Sequence, residues 1–387
     1  MIKLQNKKDC CGCYACMNSC PLACIEMQED AEGFAYPVVN EERCISCGLC
    51  EKVCPVLNNL QPRKPLYVYA VKAKSQKIRK NSSSGGVFSL LAEQVIQKGG
   101  IVFGACFDEN NKVVHRYTRT KEGLEAFRGS KYVQSEIGSA YKIVEDFLKS
   151  DQVVLFSGTP CQIRGLHLFL KKFYPNLLTV DIICHGVPSP KVWNAYLTQV
   201  SKGMSQYKIE NINFRDKQYG WRNFGFSLNY VKDKHVIHLI EPKYLNYYMR
   251  GFLSDIFLRP SCYQCPVRSL KSGSDITLGD YWGGAGDLLD FFDDKGVSAV
   301  LLNTQPGVDY FNILDAEKRD SSYKDVLAGN QSLEQSHSEP EKRTLFYASF
   351  EHECFYSLID RLIRLSFKER IKLFILNFRM RINKLNK

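Results

Sequence analysis

Sixteen of the 387 residues are cysteine, and eight of them fall in two copies of one spacing. Cys10-x2-Cys13-x2-Cys16-x3-Cys20-Pro21 is followed by Cys44-x2-Cys47-x2-Cys50-x3-Cys54-Pro55. Three thiolates two residues apart can wrap one loop round three corners of an iron–sulfur cubane, and in paired-cluster proteins the fourth cysteine of each run ligates the other cluster. The expected assignment is Cys10, Cys13, Cys16 and Cys54 on one 4Fe–4S cluster, with Cys44, Cys47, Cys50 and Cys20 on a second. A structural zinc site needs only two Cys-x2-Cys knuckles or a Cys/His mixture, so the third cysteine and the repeated Cys-Pro ending would have no role there. A disulfide framework needs an oxidising compartment. The opening Met1-Ile-Lys-Leu-Gln-Asn-Lys-Lys is basic but leads into no apolar run, so no secretion signal and a reducing cytoplasm are expected. Cys11 and Cys24 fall outside the pattern.

Four further cysteines stand where ligands gather. Val153 to Cys161 and Leu177 to Cys184 are apolar runs that each end at a cysteine before a helical stretch, and Cys262-Tyr-Gln-Cys265 supplies a closely spaced pair. Ligands bind beyond the carboxyl ends of strands in open α/β sheets. Separated single cysteines specify nothing on spacing alone, and a free thiol also packs as a small hydrophobe. A third cluster and ordinary buried thiols both stay open on this evidence.

The elements that must position these residues read as three units: a cluster domain over 1–60, a mixed α/β domain over 66–305 and a helical extension over 306–387. Pro21 to Ile25 reads as a helical turn, and Gly33 onwards as a hairpin strand leading to the second run. Gln61-Pro-Arg-Lys-Pro65 is a linker, because two prolines favour extended backbone. Leu66 to Ala73 alternates and is rich in β-branched and aromatic residues, the mark of a strand. Ser82-Ser-Ser-Gly-Gly86 precedes a helix over Val87 to Gln97, and such a loop presents free N–H groups to an anion or simply caps the helix. A strand at Ile101 and another at Val113 form a hairpin, and helices are expected over 137–148, over 162–172 and from Lys191. The fold class is therefore α+β or α/β, a small two-cluster unit followed by a mixed sheet domain.

The net charge is +11, but Phe355 to Lys387 holds nine Lys/Arg against only Asp360 and Glu369. The body is thus only mildly basic, which argues against nucleic-acid binding. Uninterrupted apolar runs fall short of the roughly 18 residues a spanning helix requires, so the membrane is at most a surface. In the tail, Ile371, Phe374, Ile375, Phe378, Ile382 and Leu385 recur on one helical face, with Arg370, Lys372, Arg379, Arg381 and Lys384 largely around it. Such a helix can lie on an anionic membrane surface, in a partner's groove or on its own core.

Seven segments in order resemble the family of coenzyme F420 hydrogenase/dehydrogenase β-subunits, from about Leu66 to about Leu302. They are Ser84-Gly-Gly, Ser130-Lys-Tyr-Val-Gln-Ser, Ser157-Gly-Thr-Pro-Cys-Gln, Cys184-His-Gly-Val-Pro-Ser, Asn213-Phe-Arg-Asp-Lys, Cys262-Tyr-Gln-Cys and Asp275-Ile-Thr-Leu-Gly-Asp-Tyr-Trp-Gly. The resemblance implies an FAD-binding oxidoreductase domain in which Cys161, Cys184, Cys262 and Cys265 hold a third 4Fe–4S cluster. It also implies a flavin pocket lined by Ser84, Gly85, Gly86, Ser130, Lys131, Tyr132, Gly158, Thr159, His185 and Gly186. Arg215 and Lys217 could hold flavin phosphates or an anionic substrate, since a guanidinium forks onto phosphate oxygens, or could form a salt bridge with Asp216 or a nearby acid. His185 is open to a proton-donor role or a packing role, Asp280 and Trp282 read as shaping a turn, and no general acid or base is named.

A flavin takes up two electrons together and clusters move one at a time. The expected function is an oxidoreductase linking a ferredoxin-type one-electron carrier or partner oxidoreductase to a two-electron small-molecule substrate such as F420. The cluster extension argues for a stand-alone or loosely partnered reductase. The alternatives are a non-catalytic electron relay in a larger complex and an interaction protein with structural metal sites.

Overall fold

Apolar runs bounded by turns supply most of the eight strands of one mixed sheet. The computed structural model describes residues 1–283, 289–365, 367 and 371. The expected amphipathic tail beyond Ile371 lies outside the described residues. Two short antiparallel strands, β1 (Ile25–Glu29) and β2 (Ala35–Val39), belong to the N-terminal unit. The large sheet uses β3 (Tyr67–Ala73), β4 (Ile101–Phe107), β5 (Val113–Thr118), β6 (Val154–Gly158) and β7 (Leu177–Ile182). Three further strands, β8 (Lys208–Asp216), β9 (Gly225–Lys232) and β10 (His235–Pro242), form an antiparallel sheet of their own. The large sheet is completed by β11 (Ile276–Asp280), β12 (Ser298–Leu302) and β13 (Ala316–Asp320), in the order β13-β3-β12-β11-β7-β6-β4-β5.

The four central strands, β11, β7, β6 and β4, run parallel. Their residues read as continuous apolar runs because both faces are covered. The helix Val87–Gln97 buries Leu91 and Val95 with Val102, Leu155, Leu178 and Val180 on one face. On the other, the helices Ala140–Lys149 and Pro160–Leu170 cover Ile101, Phe103, Val154 and Phe156, and that same core takes in Tyr14, Ala15 and Val53 of the N-terminal unit. The three-stranded sheet packs with the helices Pro190–Val200, Tyr247–Leu253 and Phe355–Leu362 round Trp193, Tyr196, Phe214, Phe226 and Tyr248.

Several expectations are corrected. After the turn at Pro21–Leu22 the chain enters β1 at Ile25, which pairs with Val39, so the short helix of the first run is Ala15–Ser19. The helix expected from Ile137 begins at Ala140. Cys161 does not end a strand: Pro160 opens the helix Pro160–Leu170 behind a Thr159/Gln162 capping box, placing Cys161 in its first turn. The strand β13 lies beyond residue 305, so the sheet takes an edge from the segment expected to be a helical extension.

Candidate functional site

The two cysteine runs fold alike. Gly12 and Tyr14 in the first, and Ser46 and Gly48 in the second, have φ of 66°, 65°, 52° and 72°. Left-handed residues at matching places curl each loop, and a four- or five-residue helix follows in each. Gly12 is further required by packing, since a Cβ there would lie 2.7 Å from Nη1 of Arg259.

One cavity is lined by Cys20, Cys24, Cys44, Cys47 and Cys50, the set expected for the second cluster with Cys24 added. Cys20 and Cys24 bring their sulfurs within 3.3 Å, and the Ile2 amide donates to Cys50 Sγ at 3.3 Å. In the other set, burial together with neighbouring Cys10 and Cys54 pushes the Cys16 thiol up to about 12. Crowded dry thiols of this kind bind metal as thiolates with release of their protons, so the donor set fits a cluster.

The other four cysteines converge as well. Burial raises Cys184 well above the usual thiol range, and Cys262, Cys161 and Cys265 lie near enough to raise it further. Burial, with Cys265 beside it, pushes Cys262 up to about 12. The Val187 amide donates to Cys262 Sγ at 3.4 Å, and Arg268 donates to the carbonyls of Cys184 and His185 at 3.1 and 3.2 Å, tying the loop after β7 to the Cys-x2-Cys turn.

The cysteine left out of the pattern joins the two groups. Cys11 is buried in the same packed cluster as Cys13 and Cys161. Gly165 on the Cys161 helix has no side chain where a Cβ would sit 3.2 Å from Cys13 Sγ. Arg259, with no solvent exposure, donates to the carbonyls of Cys10 (2.7 Å) and Ala35 (3.0 Å), to Gln134 Oε1 (3.0 Å) and to Cys10 Sγ (3.5 Å). Neither role was visible in the sequence, because a lone arginine and an unpatterned cysteine carry no spacing signal.

A second group surrounds the Ser-Gly loop. Ser83 Oγ accepts from the Ser130 amide at 2.7 Å, and the Gly85 amide donates to Ser298 Oγ. Arg215 forks onto Asp280 at 2.7 and 3.2 Å and also donates to Tyr132 Oη, while Trp221 Nε1 donates to the same carboxylate. The open alternative for Arg215 thus resolves as a buried ion pair, and Asp280 anchors it. Its Nε remains buried without a partner. Lys217 donates to the carbonyls of Arg79, Ser84 and Lys295, and Lys131 to those of Ala126 and Arg128. Desolvation lowers both ammonium groups to about 7, with the nearby Arg215 guanidinium adding to the fall at Lys217. The helix Val87–Gln97 starts here from Gly86 at φ 93°, with no side-chain cap among the described residues. Two undercompensated cations and an uncapped helix N-terminus fit a phosphate-bearing cofactor.

The remaining expected pocket residues lie elsewhere. Gly158 and Thr159 lead into Cys161, whose Sγ is 3.2 Å from Thr159 Oγ1. Gly186 packs on Leu258 and Cys262. His185 turns its Nε2 to Asp255 Oδ1 at 2.5 Å, and its ring meets the edge of Phe252, which stacks on Tyr132. Burial alone would raise Asp255, but hydrogen bonds from His185 and His337 hold it below the usual carboxylate range.

Duplicated cysteine loops against a mixed α/β body define an iron–sulfur protein of the electron-transfer class. Residues 151–321 match the C-terminal half of the family described as Coenzyme F420 hydrogenase/dehydrogenase, beta subunit; residues 68–142 match its N-terminal half, and residues 9–58 match a 4Fe-4S dicluster domain. The two halves together cover more than half of the chain, which belongs to the family of coenzyme F420 hydrogenase/dehydrogenase beta subunits. The match runs past Leu302, where the resemblance was expected to fade. The chain is 25% identical over 328 residues to a subunit of F(420)H(2) dehydrogenase from Methanosarcina mazei, covering 80% of this chain and 83% of that one. It is 42% identical over 45 residues to the polyferredoxin-like subunit of aliphatic sulfonate oxidoreductase from Pyrococcus furiosus, 12% of this chain and 24% of that one. A chain of the F420-reducing NiFe hydrogenase complex from Methanosarcina barkeri superposes with a TM-score of 0.45 at 16% identity, covering 70% of this chain and 89% of that one. Among the described residues, no helix is long and apolar enough to cross a membrane.

Proposed function

We propose that this chain holds three 4Fe–4S clusters and one FAD, and passes electrons between a ferredoxin-type carrier or partner oxidoreductase and a two-electron organic substrate of the deazaflavin class. The observation that carries the reading is the convergence of Cys161, Cys184, Cys262 and Cys265, with Cys161 packed in one cluster with Cys11 and Cys13 of the first loop. When bound, the flavin would exchange electron pairs and the clusters single electrons. The chain's own residues supply the rest.

Cys10, Cys13, Cys16 and Cys54 hold one cluster, Cys20, Cys44, Cys47 and Cys50 the second, and Cys161, Cys184, Cys262 and Cys265 the third. Ser84, Gly85, Gly86 and Ser130 would hold the cofactor phosphates at the helix N-terminus together with Lys131 and Lys217, and Tyr132 and Arg215 brace that loop. Arg215, buried and paired to Asp280, orients the Ser83 carbonyl instead of reaching for a phosphate. Gly12 and Gly165 let Arg259 and the Cys161 helix approach the first cysteine loop closely.

The test is anaerobic purification with flavin quantified, followed by mixing with reduced F420, NAD(P)H and reduced ferredoxin. About one FAD per chain, bleached by reduced F420, supports the reading. Protein that folds with its clusters but binds no flavin would make the chain a relay between partner proteins.

A further inference from the structure

Three side chains that no cluster assignment uses meet at one point. His185 follows β7, Asp255 follows the helix Tyr247–Leu253 and His337 lies in the loop before the helix Glu341–Ser349. His185 Nε2 is 2.5 Å from Asp255 Oδ1, His337 Nδ1 is 3.2 Å from Asp255 Oδ2, and one ligand atom from each residue lies within 4.8 Å of the others. A tetrahedral ion with bonds of about 2.0–2.1 Å sets its donors roughly 3.3 Å apart, so the His–Asp pairs need to open by less than about 1 Å and the two imidazoles to close by at most about 1.5 Å.

The surroundings hold this arrangement in place. His337 Nε2 is 2.9 Å from Ser332 Oγ, which fixes the ring with Nδ1 towards the carboxylate. Such an outer partner on the free ring nitrogen is a regular feature of histidine ligands. The His185 ring is held by Phe252, and the Asp255 carbonyl accepts from Tyr263 Oη. Asp255 itself sits at φ 61°, a left-handed conformation unusual for a residue with a side chain. Arg268, the nearby cation, is committed to the carbonyls of Cys184, His185 and Ser332 and leaves the carboxylate to the two histidines. The side chains of His185, Asp255 and His337 are 29%, 16% and 33% exposed, so an ion can enter and keep open positions.

We infer that His185, Asp255 and His337 form a mononuclear site for a divalent transition metal, separate from the iron–sulfur clusters. Two imidazoles and one carboxylate select zinc or ferrous iron over magnesium or calcium, and leave positions for water or an oxygen donor of a small molecule. The ion sits one residue along the chain from Cys184, beside the third cysteine set.

The test uses the anaerobically purified, cluster-loaded full chain and Zn²⁺ as the probe. Zinc, iron and sulfide are quantified after equilibration and desalting, and the zinc environment is read by X-ray absorption. About one zinc per chain with nitrogen and oxygen ligands is expected. His337→Ala and Asp255→Asn should abolish its retention at unchanged iron and sulfide, and Ser332→Ala should weaken it by roughly 10–100-fold. No retained zinc, sulfur in its ligand shell, or equal retention by His337→Ala and Asp255→Asn would overturn the site and leave a His–Asp–His hydrogen-bond relay.

Discussion

Arg259 sets a guanidinium with no solvent exposure against the first cysteine of the first run. A buried positive charge and an N–H donor to a ligating sulfur both favour the reduced cluster. Replacing Arg259 with Met should therefore lower the midpoint potential of the cluster held by Cys10. Taking a charge-assisted hydrogen bond at ~1.5–3 kcal/mol and one-electron exchange at ~59 mV per tenfold, the fall is roughly 65–130 mV in an EPR-monitored titration. Arg259→Lys should recover part of it, and an unchanged potential in the Met variant would remove Arg259 from the tuning of the cluster. Lys131 and Lys217 carry the pH dependence. Desolvation holds both near 7 without an anion. A bound phosphate raises these values, so binding takes up protons and affinity falls as pH rises from about 7 towards the usual lysine value of about 10.4. FAD affinity measured from pH 6.5 to 8.5 should weaken by up to about tenfold per unit for each lysine, with a shallower slope in Lys131→Ala; a flat profile would place the phosphates elsewhere.

The helix Pro160–Leu170 is the element on which the cysteine sets depend. It begins with a Thr159/Gln162 capping box, carries Cys161 in its first turn, and presents Gly165 to Cys13 and Tyr141. Gly165→Leu should destabilise the protein by about 1–3 kcal/mol through overpacking. Chemical denaturation measures that loss, and an unchanged midpoint would show that the helix and the cysteine loop are not in close contact. The central strands and the body of this helix were legible because apolar runs signal both, whereas its first turn at Pro160 and Cys161 was read as the end of the preceding run. The three-stranded sheet was not. β9 and β10 turn through Asp233-Lys234, with Asp233 at φ 53°, and lack the Asp-Gly pair that marks such a hairpin. Val236 and Ile237 on β10 are exposed, so alternation does not separate a core face.

At the scale of the whole molecule, the N-terminal unit is wedded to the body by buried polar groups. Arg259 reaches Cys10 and Ala35, Arg343 forks onto Glu32, Asn18 donates to the Gly138 carbonyl, and Arg164 donates to that of Asn58. Removing residues 1–60 would strip partners from two buried guanidiniums, each loss costing about 3–5 kcal/mol by the precedent of broken buried pairs. The remaining fragment should therefore be insoluble or strongly destabilised, as expression and thermal melting would show; a fragment as stable as the full chain would make the unit a loosely tethered module. The eight N-terminal cysteines declared their chemistry by spacing, whereas the third set required the fold to gather Cys161, Cys184 and the Cys262–Cys265 turn. Asp255 and His337 stand 70 and 152 residues from His185 in sequence and carry no shared motif, so only the fold could bring them together.

On the function proposed above, the third cysteine set holds a cluster of its own. The most direct measurement is iron and acid-labile sulfide per chain in anaerobically purified wild type and in Cys184→Ala, with Cys106→Ala as the control for loss of an uninvolved buried thiol. The account predicts about twelve irons in wild type and the control and about eight in Cys184→Ala. About eight in all three would contradict it.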